Sequence, residues 1–198
     1  MSNKAIISLL VCLCGIIFST LLLLKKDVRK NNVVNKNQLP YEVQSASAQS
    51  FLLSGKYEFA NKIFENSYNH YRDNPAFVER YALSLNRSKK QTQALSILEP
   101  ATLEFPLHKG LRLEKAKALI LNNQNSRAYN FLTSIPLFNH KDPNFLSLII
   151  LTTPNSQALE SLMIKMKSFH NYQKYFSTDL INKSANQKIL KRHLANNG

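Results

Sequence analysis

Apolar positions along this chain fall into two regimes. From Ala5 to Leu24 run twenty consecutive residues without a charge, bounded by Lys4 on one side and Lys25-Lys26 on the other. From residue 41 onward the apolar residues instead recur at helical spacing in short blocks, the pattern of helices that bury one face. The blocks themselves repeat. Ala48, Ala82 and Ala116 lie 34 residues apart, and so do Ala60, Ala94 and Ala128. Bulky positions step with them: Phe64, Leu98 and Leu132; Ile63, Ile97 and Phe131; Phe51, Leu85 and Leu119; Val43, Phe77 and Leu111. An alanine returning at a fixed phase marks a place where two helices cross closely, because a larger side chain would overpack there. The predicted class is all-α: a short helical solenoid of about three hairpins, over residues 41–74, 75–108 and 109–142.

The punctuation between blocks carries the same period. The first inter-helix turn reads Ser54-Gly55-Lys56-Tyr57, and its counterparts read Ser88-Lys89-Lys90-Gln91 and Asn122-Asn123-Gln124-Asn125. A helix-ending proline stands at Pro106, and Asp73-Asn74-Pro75 gives a shifted version in the first unit. With the 34-residue step, these residues resemble the tetratricopeptide repeat family over 41–142. The resemblance implies that the inner helix of each hairpin lines a concave surface. Its register puts Gln49 and Leu52 on that surface from the first unit, Glu79, Leu83, Asn86 and Arg87 from the second, and Leu113, Lys117 and Ile120 from the third. Charge, amide and aliphatic groups in this mixture suit an extended peptide or a partner helix. Some family members grip a terminal carboxylate with lysines and asparagines. The matching slots here hold Ser45, Gln49 and Glu79, so that role is not carried over.

The uncharged run changes the picture from a soluble repeat protein to an anchored one. At about 1.5 Å per residue, a helix over residues 5–24 spans a hydrocarbon core of roughly 30 Å with every backbone group paired internally. A signal peptide would carry a shorter apolar core with small residues at a nearby cut. The nearest such motif, Ala46-Ser47-Ala48, falls inside the first repeat. Residues 1–24 are therefore expected to be an uncleaved transmembrane anchor. Cys12 and Cys14, the only cysteines, lie within it. Neither follows a small residue as a lipidation site would, so both read as small apolar groups. Residues 25–40, basic and rich in asparagine, form a flexible tether. Lys25, Lys26, Arg29, Lys30 and Lys36 outnumber Lys4, which by the positive-inside rule puts the repeats in the cytoplasm. The layout also resembles periplasmic assembly factors, which puts them on the other side. The expectation is a single-pass inner-membrane protein with the side open.

Past the repeats, Asp142-Pro143 reads as a helix cap followed by a first-turn proline. A short apolar helix should run to Leu151 and stop at Thr153-Pro154. A second should start at Asn155-Ser156 and carry Leu159, Leu162, Met163, Met166 and Phe169. Residues 143–178 are expected to cap the last apolar face, as solenoids require. Residues 179–198 should form a basic, marginal helix or tail.

The net charge of +14 divides as +1 in the anchor, +4 in the tether, +4 in the repeats and +5 beyond them. A nucleic-acid reader would gather its cations on one folded face with stacking aromatics, so no nucleic-acid partner is expected. An acidic protein or a membrane surface fits the balance. The five histidines, His70, His108, His140, His170 and His193, are scattered. No metal-ligand spacing, phosphate loop or nucleophile elbow occurs. Neither an enzyme nor a cofactor is expected. Gly55 with Tyr57, the stretch Leu98-Glu99-Pro100-Ala101, and the anchored layout resemble repeat proteins of Tad-type (Flp) pilus assembly. That resemblance implies a membrane-anchored adaptor or scaffold for protein partners in a bacterial envelope machine. Two alternatives remain: a permanent structural subunit of a membrane complex, or a periplasmic chaperone or cytochrome c maturation-type subunit.

Overall fold

Helix starts are set by side chains that satisfy the first free backbone N–H groups. Asn74 Oδ1 accepts from the backbone N–H groups of Ala76 and Phe77 at 3.1 and 3.2 Å. Asp142 and Asn155 do the same for Asn144 and Gln157, both at 2.8 Å. Pro75 and Pro143 occupy first-turn positions, where a missing N–H costs nothing. The computed structural model describes residues 41–134 and 141–195. The expected anchor over 5–24 and tether over 25–40 lie outside the described residues. Among the described residues, no helix is long and apolar enough to cross a membrane.

Within the described residues ten α-helices follow one another. Three hairpins come first: α1 (Tyr41–Leu53) with α2 (Tyr57–Tyr71), α3 (Pro75–Arg87) with α4 (Gln91–Glu104), and α5 (Lys109–Leu121) with α6 (Asn125–Thr133). Then come α7 (Pro143–Thr152), α8 (Ser156–Lys167), a 3-10 turn at Tyr172–Tyr175, α9 (Thr178–Lys183) and α10 (Gln187–Ala195). Consecutive helices of the three hairpins pack on one another, and α3 packs along α5. The fold is an all-α, tetratricopeptide-like solenoid.

The three inter-helix turns share one backbone geometry although their residues differ. Gly55, Lys89 and Asn123, again 34 apart, all take left-handed φ angles of +72°, +62° and +61°. In each turn the following residue's N–H bonds back to the carbonyl five positions earlier, at 2.8 Å: Lys56 to Phe51, Lys90 to Leu85, and Gln124 to Leu119. This closure ends a helix and satisfies its last carbonyls. It lets the second helix of each hairpin start in the same direction every time.

The six periodic alanines are all fully buried, and so are Phe64, Leu98 and Leu132 at the bulky slot beside them. Between the first two hairpins lies an aromatic cluster. The Phe64 ring meets Phe77 edge-on at 5.4 Å and stacks on Tyr81 at 5.6 Å. Val43 departs from its register. It aligns with Phe77 and Leu111, which are buried, yet it is 45% exposed. Phe77 sits against Phe64 and Tyr71 of the hairpin before it, and no described hairpin precedes α1.

α7 does more than cap. Every residue from Phe145 to Thr153 is buried, because α5, α6, α8 and the 3-10 turn all pack on it. The C-terminal region is likewise more than the marginal helix or tail expected of it, because it folds back onto the repeats. The chain reverses at Asn171, with a left-handed φ of +51°, and α9 packs against α5. Polar staples then hold it to the end of α7. Ser184 Oγ donates to the Leu151 carbonyl at 2.6 Å, and Asn186 Nδ2 donates to the carbonyls of Ile150 and Thr153, both at 2.9 Å. Leu180, Ile181 and Leu190 are buried.

Candidate functional site

The return of residues 172–183, with the 3-10 turn on α7 and α9 on α5, gives a walled cleft of about 580 Å³. One wall comes from α3 and the turn after it, through Leu83, Arg87 and Lys89. Ser147 and Leu148 of α7 contribute, and Lys174, Tyr175, Leu180 and Lys183 form the C-terminal wall. Asn125 Nδ2 donates to the Lys183 carbonyl at 2.9 Å, tying the end of α9 to the start of α6.

Across the floor runs a polar network between α3 and α5. Asn86 Nδ2 donates to the Glu114 carbonyl at 3.1 Å and to Glu114 Oε2 at 2.9 Å. Lys117 Nζ donates to Glu114 Oε1 at 2.7 Å. Glu114 is 5% exposed, so its charge is matched inside the network rather than offered to a ligand. A buried carboxylate needs such partners, since desolvation alone would cost several kcal/mol. Asn86 Oδ1 remains buried and without a hydrogen-bond partner.

Four of the nine residues placed by the sequence on the concave surface line this cleft: Leu83, Asn86, Arg87 and Lys117. The others do not. Ile120 is fully buried, a core residue rather than a surface one. Leu52 is 9% exposed and Gln49 half-buried, both on α1, away from the cleft lining. Leu113 is partly buried against the core. Glu79 Oε2 lies 3.8 Å from His108 Nδ1, joining α3 to the start of α5. Sequence reasoning missed Glu114, although it stands three residues before Lys117 on the same helix face. It also missed Lys174, Tyr175, Leu180 and Lys183. Those lie outside the repeat, and no periodic signal links them to α5.

Two further cations share an aromatic ring on α6. Arg112, 3% exposed, sits over the Phe131 ring at 4.4 Å and donates through Nη2 to the Phe131 carbonyl at 2.8 Å. Lys115 Nζ lies over the same ring at 4.6 Å and bonds Thr102 Oγ1 at 3.0 Å. Burial lowers the proton affinity of both groups. Arg112 joins the two helices of the third hairpin, Lys115 also ties that hairpin to Thr102 of α4, and neither lines the cleft. Among the described residues no cluster of three metal-ligating side chains occurs.

A solenoid of hairpins with this register, lined on one side by mixed polar and apolar groups, is the architecture of helical-repeat modules. Residues 85–149 match the tetratricopeptide repeat family. The match runs from the end of α3 into α7 and supports the tetratricopeptide reading of the sequence. Neither a curated protein nor a solved structure matches the chain. Tetratricopeptide repeats generally bind protein partners, and the family is generally non-enzymatic.

Proposed function

We propose that this protein is a membrane-anchored adaptor that holds a partner protein in the cleft between α3, α5 and its own C-terminal segment. The observation that carries the reading is the cleft itself. A structural subunit packed permanently in a complex has no need of a walled groove lined by Arg87, Lys89 and Lys183. The charge-free run supports anchoring through residues 5–24. The resemblance of the layout to pilus-assembly repeat proteins supports a role in building a bacterial envelope machine such as a pilus or secretion system. The side of the membrane follows from which partners are met. Flanking lysines favour the cytoplasm, and the layout favours the periplasm.

The test is site-specific photocrosslinking in native membranes of the full-length chain. A benzophenone side chain at Leu83 should give a discrete protein adduct, and one at the exposed outer position Ser96 should not. Equal adducts from both positions would remove the cleft from the account. Protease protection in spheroplasts and inverted vesicles then places the repeats on one side. A repeat domain recovered entirely in the soluble fraction would overturn the anchor.

A further inference from the structure

The mouth of the cleft is more specific than a general peptide groove. Arg87 and Lys89 come from the second repeat, Lys174 and Lys183 from the C-terminal segment, and all four are exposed. Among the described residues none of the four has an acidic side chain within ion-pair distance, while Lys117 is already matched to Glu114. Asp179 is the one other acid in the lining. The same lining holds Leu83, Leu121, Leu148, Tyr175 and Leu180.

We infer that the cleft takes a short, internal acidic segment of a partner protein, with apolar residues between its acids, gripped from two sides by the repeats and the chain's own C-terminal segment. The cations supply charge complementarity and on-rate. Leu83, Leu121 and Tyr175, only partly buried, accept the intervening apolar side chains. The cleft volume of 580 Å³ falls within the roughly 300–1,000 Å³ usual for ligand sites. This rests on the adaptor reading and narrows it to one chemistry, and it makes the C-terminal segment part of the site.

The probe is a fluorescein-labelled peptide of sequence Glu-Leu-Asp-Glu-Leu-Glu, acetylated and amidated so that no terminal carboxylate is present. A control peptide has lysine in place of each acid. Anisotropy with the purified full-length chain should show binding of the acidic peptide, weakening with salt, and none of the control. Arg87→Glu with Lys89→Glu should weaken it about tenfold, and Lys174→Glu with Lys183→Glu by a similar factor. All four side chains are exposed, so thermal melts should not move. Equal binding of the lysine peptide, no binding of the acidic one, or full affinity in the Lys174/Lys183 variant would each overturn the inference. A protein adduct from Leu83 that persists despite any of these leaves the adaptor reading standing, whereas loss of the adduct removes both.

Discussion

Asn86 on α3 spends both of its amide hydrogens on one residue of α5, donating to the backbone carbonyl of Glu114 at 3.1 Å and to its carboxylate at 2.9 Å. The two residues lie 28 positions apart, so the pair sets the second repeat against the third. Truncating Asn86 takes a donor from one Glu114 carboxylate oxygen in a buried place, while the Glu114 carbonyl keeps its own helix bond. Asn86→Ala should therefore cost about 2 kcal/mol in urea unfolding. Gln93→Ala, on the exposed side of α4, should stay within about 0.5 kcal/mol. Equal losses would mean the network contributes nothing. The same geometry excludes Lys117 from charge-reversal tests of binding, because a glutamate there would face Glu114 without a counter-charge.

The three left-handed turn positions give a pair of predictions with opposite signs. At Gly55 a Cβ would meet nothing within 4 Å, so only the backbone conformation penalises a side chain. Gly55→Ala should then destabilise by about 1 kcal/mol. Lys89 holds the equivalent position with φ +62° and already bears that strain. Lys89→Gly should stabilise by a similar amount, about 1 kcal/mol, less the added unfolded-state entropy of glycine. Chemical denaturation of both variants checks the pair, and a loss of stability in each would contradict the shared geometry.

The helical class and the repeat were legible because they are local and periodic. An alanine at Ala82 must be small for the same reason as at Ala48, and each helix meets its neighbours at the same phase. The caps Asp142 and Asn155 were legible too, since capping chemistry is decided within three residues. The lining of the cleft was legible only in part. Ile120 and Asn86 share the inner helix register with Arg87, yet Ile120 is sealed in the core and Asn86 is nearly so. The segment closing over α7 and α5 is residues 172–183, whose return depends on a left-handed Asn171 and on staples from Ser184 and Asn186 to the end of α7. None of those residues repeats, so a periodic reading had nothing to align. Val43 failed for the converse reason. Its register assumes a preceding hairpin, and the described residues contain none.

The helix crossings are the least tolerant part of the fold. Ala94 is fully buried on α4, two positions after Thr92, which is exposed in the first turn of the same helix. Ala94→Asp puts a carboxylate into a tightly packed crossing and should cost more than about 3 kcal/mol. Thr92→Asp places the same charge at the positive end of the helix and should be neutral or stabilise by about 0.5 kcal/mol. Comparable melting shifts for the two would sink the assigned register.

Asp142 joins capping to pH dependence. It caps α7 through the Asn144 N–H and pairs with Lys109 at the start of α5. Burial pushes its carboxyl up, but hydrogen bonds from Lys109 and from the backbone and side chain of Asn144 outweigh this and hold it below the ordinary 3.8. A carboxyl depressed in the folded state binds fewer protons there than in the unfolded chain. Its contribution is complete above the unfolded value and fades as pH falls through 3.8 towards the folded one. Asp142→Asn keeps a capping oxygen but discards the charge, so the cost at neutral pH should be modest, about 0.5–1 kcal/mol. The stability difference between wild type and Asp142→Asn, followed by urea unfolding from pH 7 downward, should hold steady to about pH 5 and then narrow towards zero. A difference that stays constant down to acid pH would show that the carboxylate's charge plays no part in holding α7 to α5.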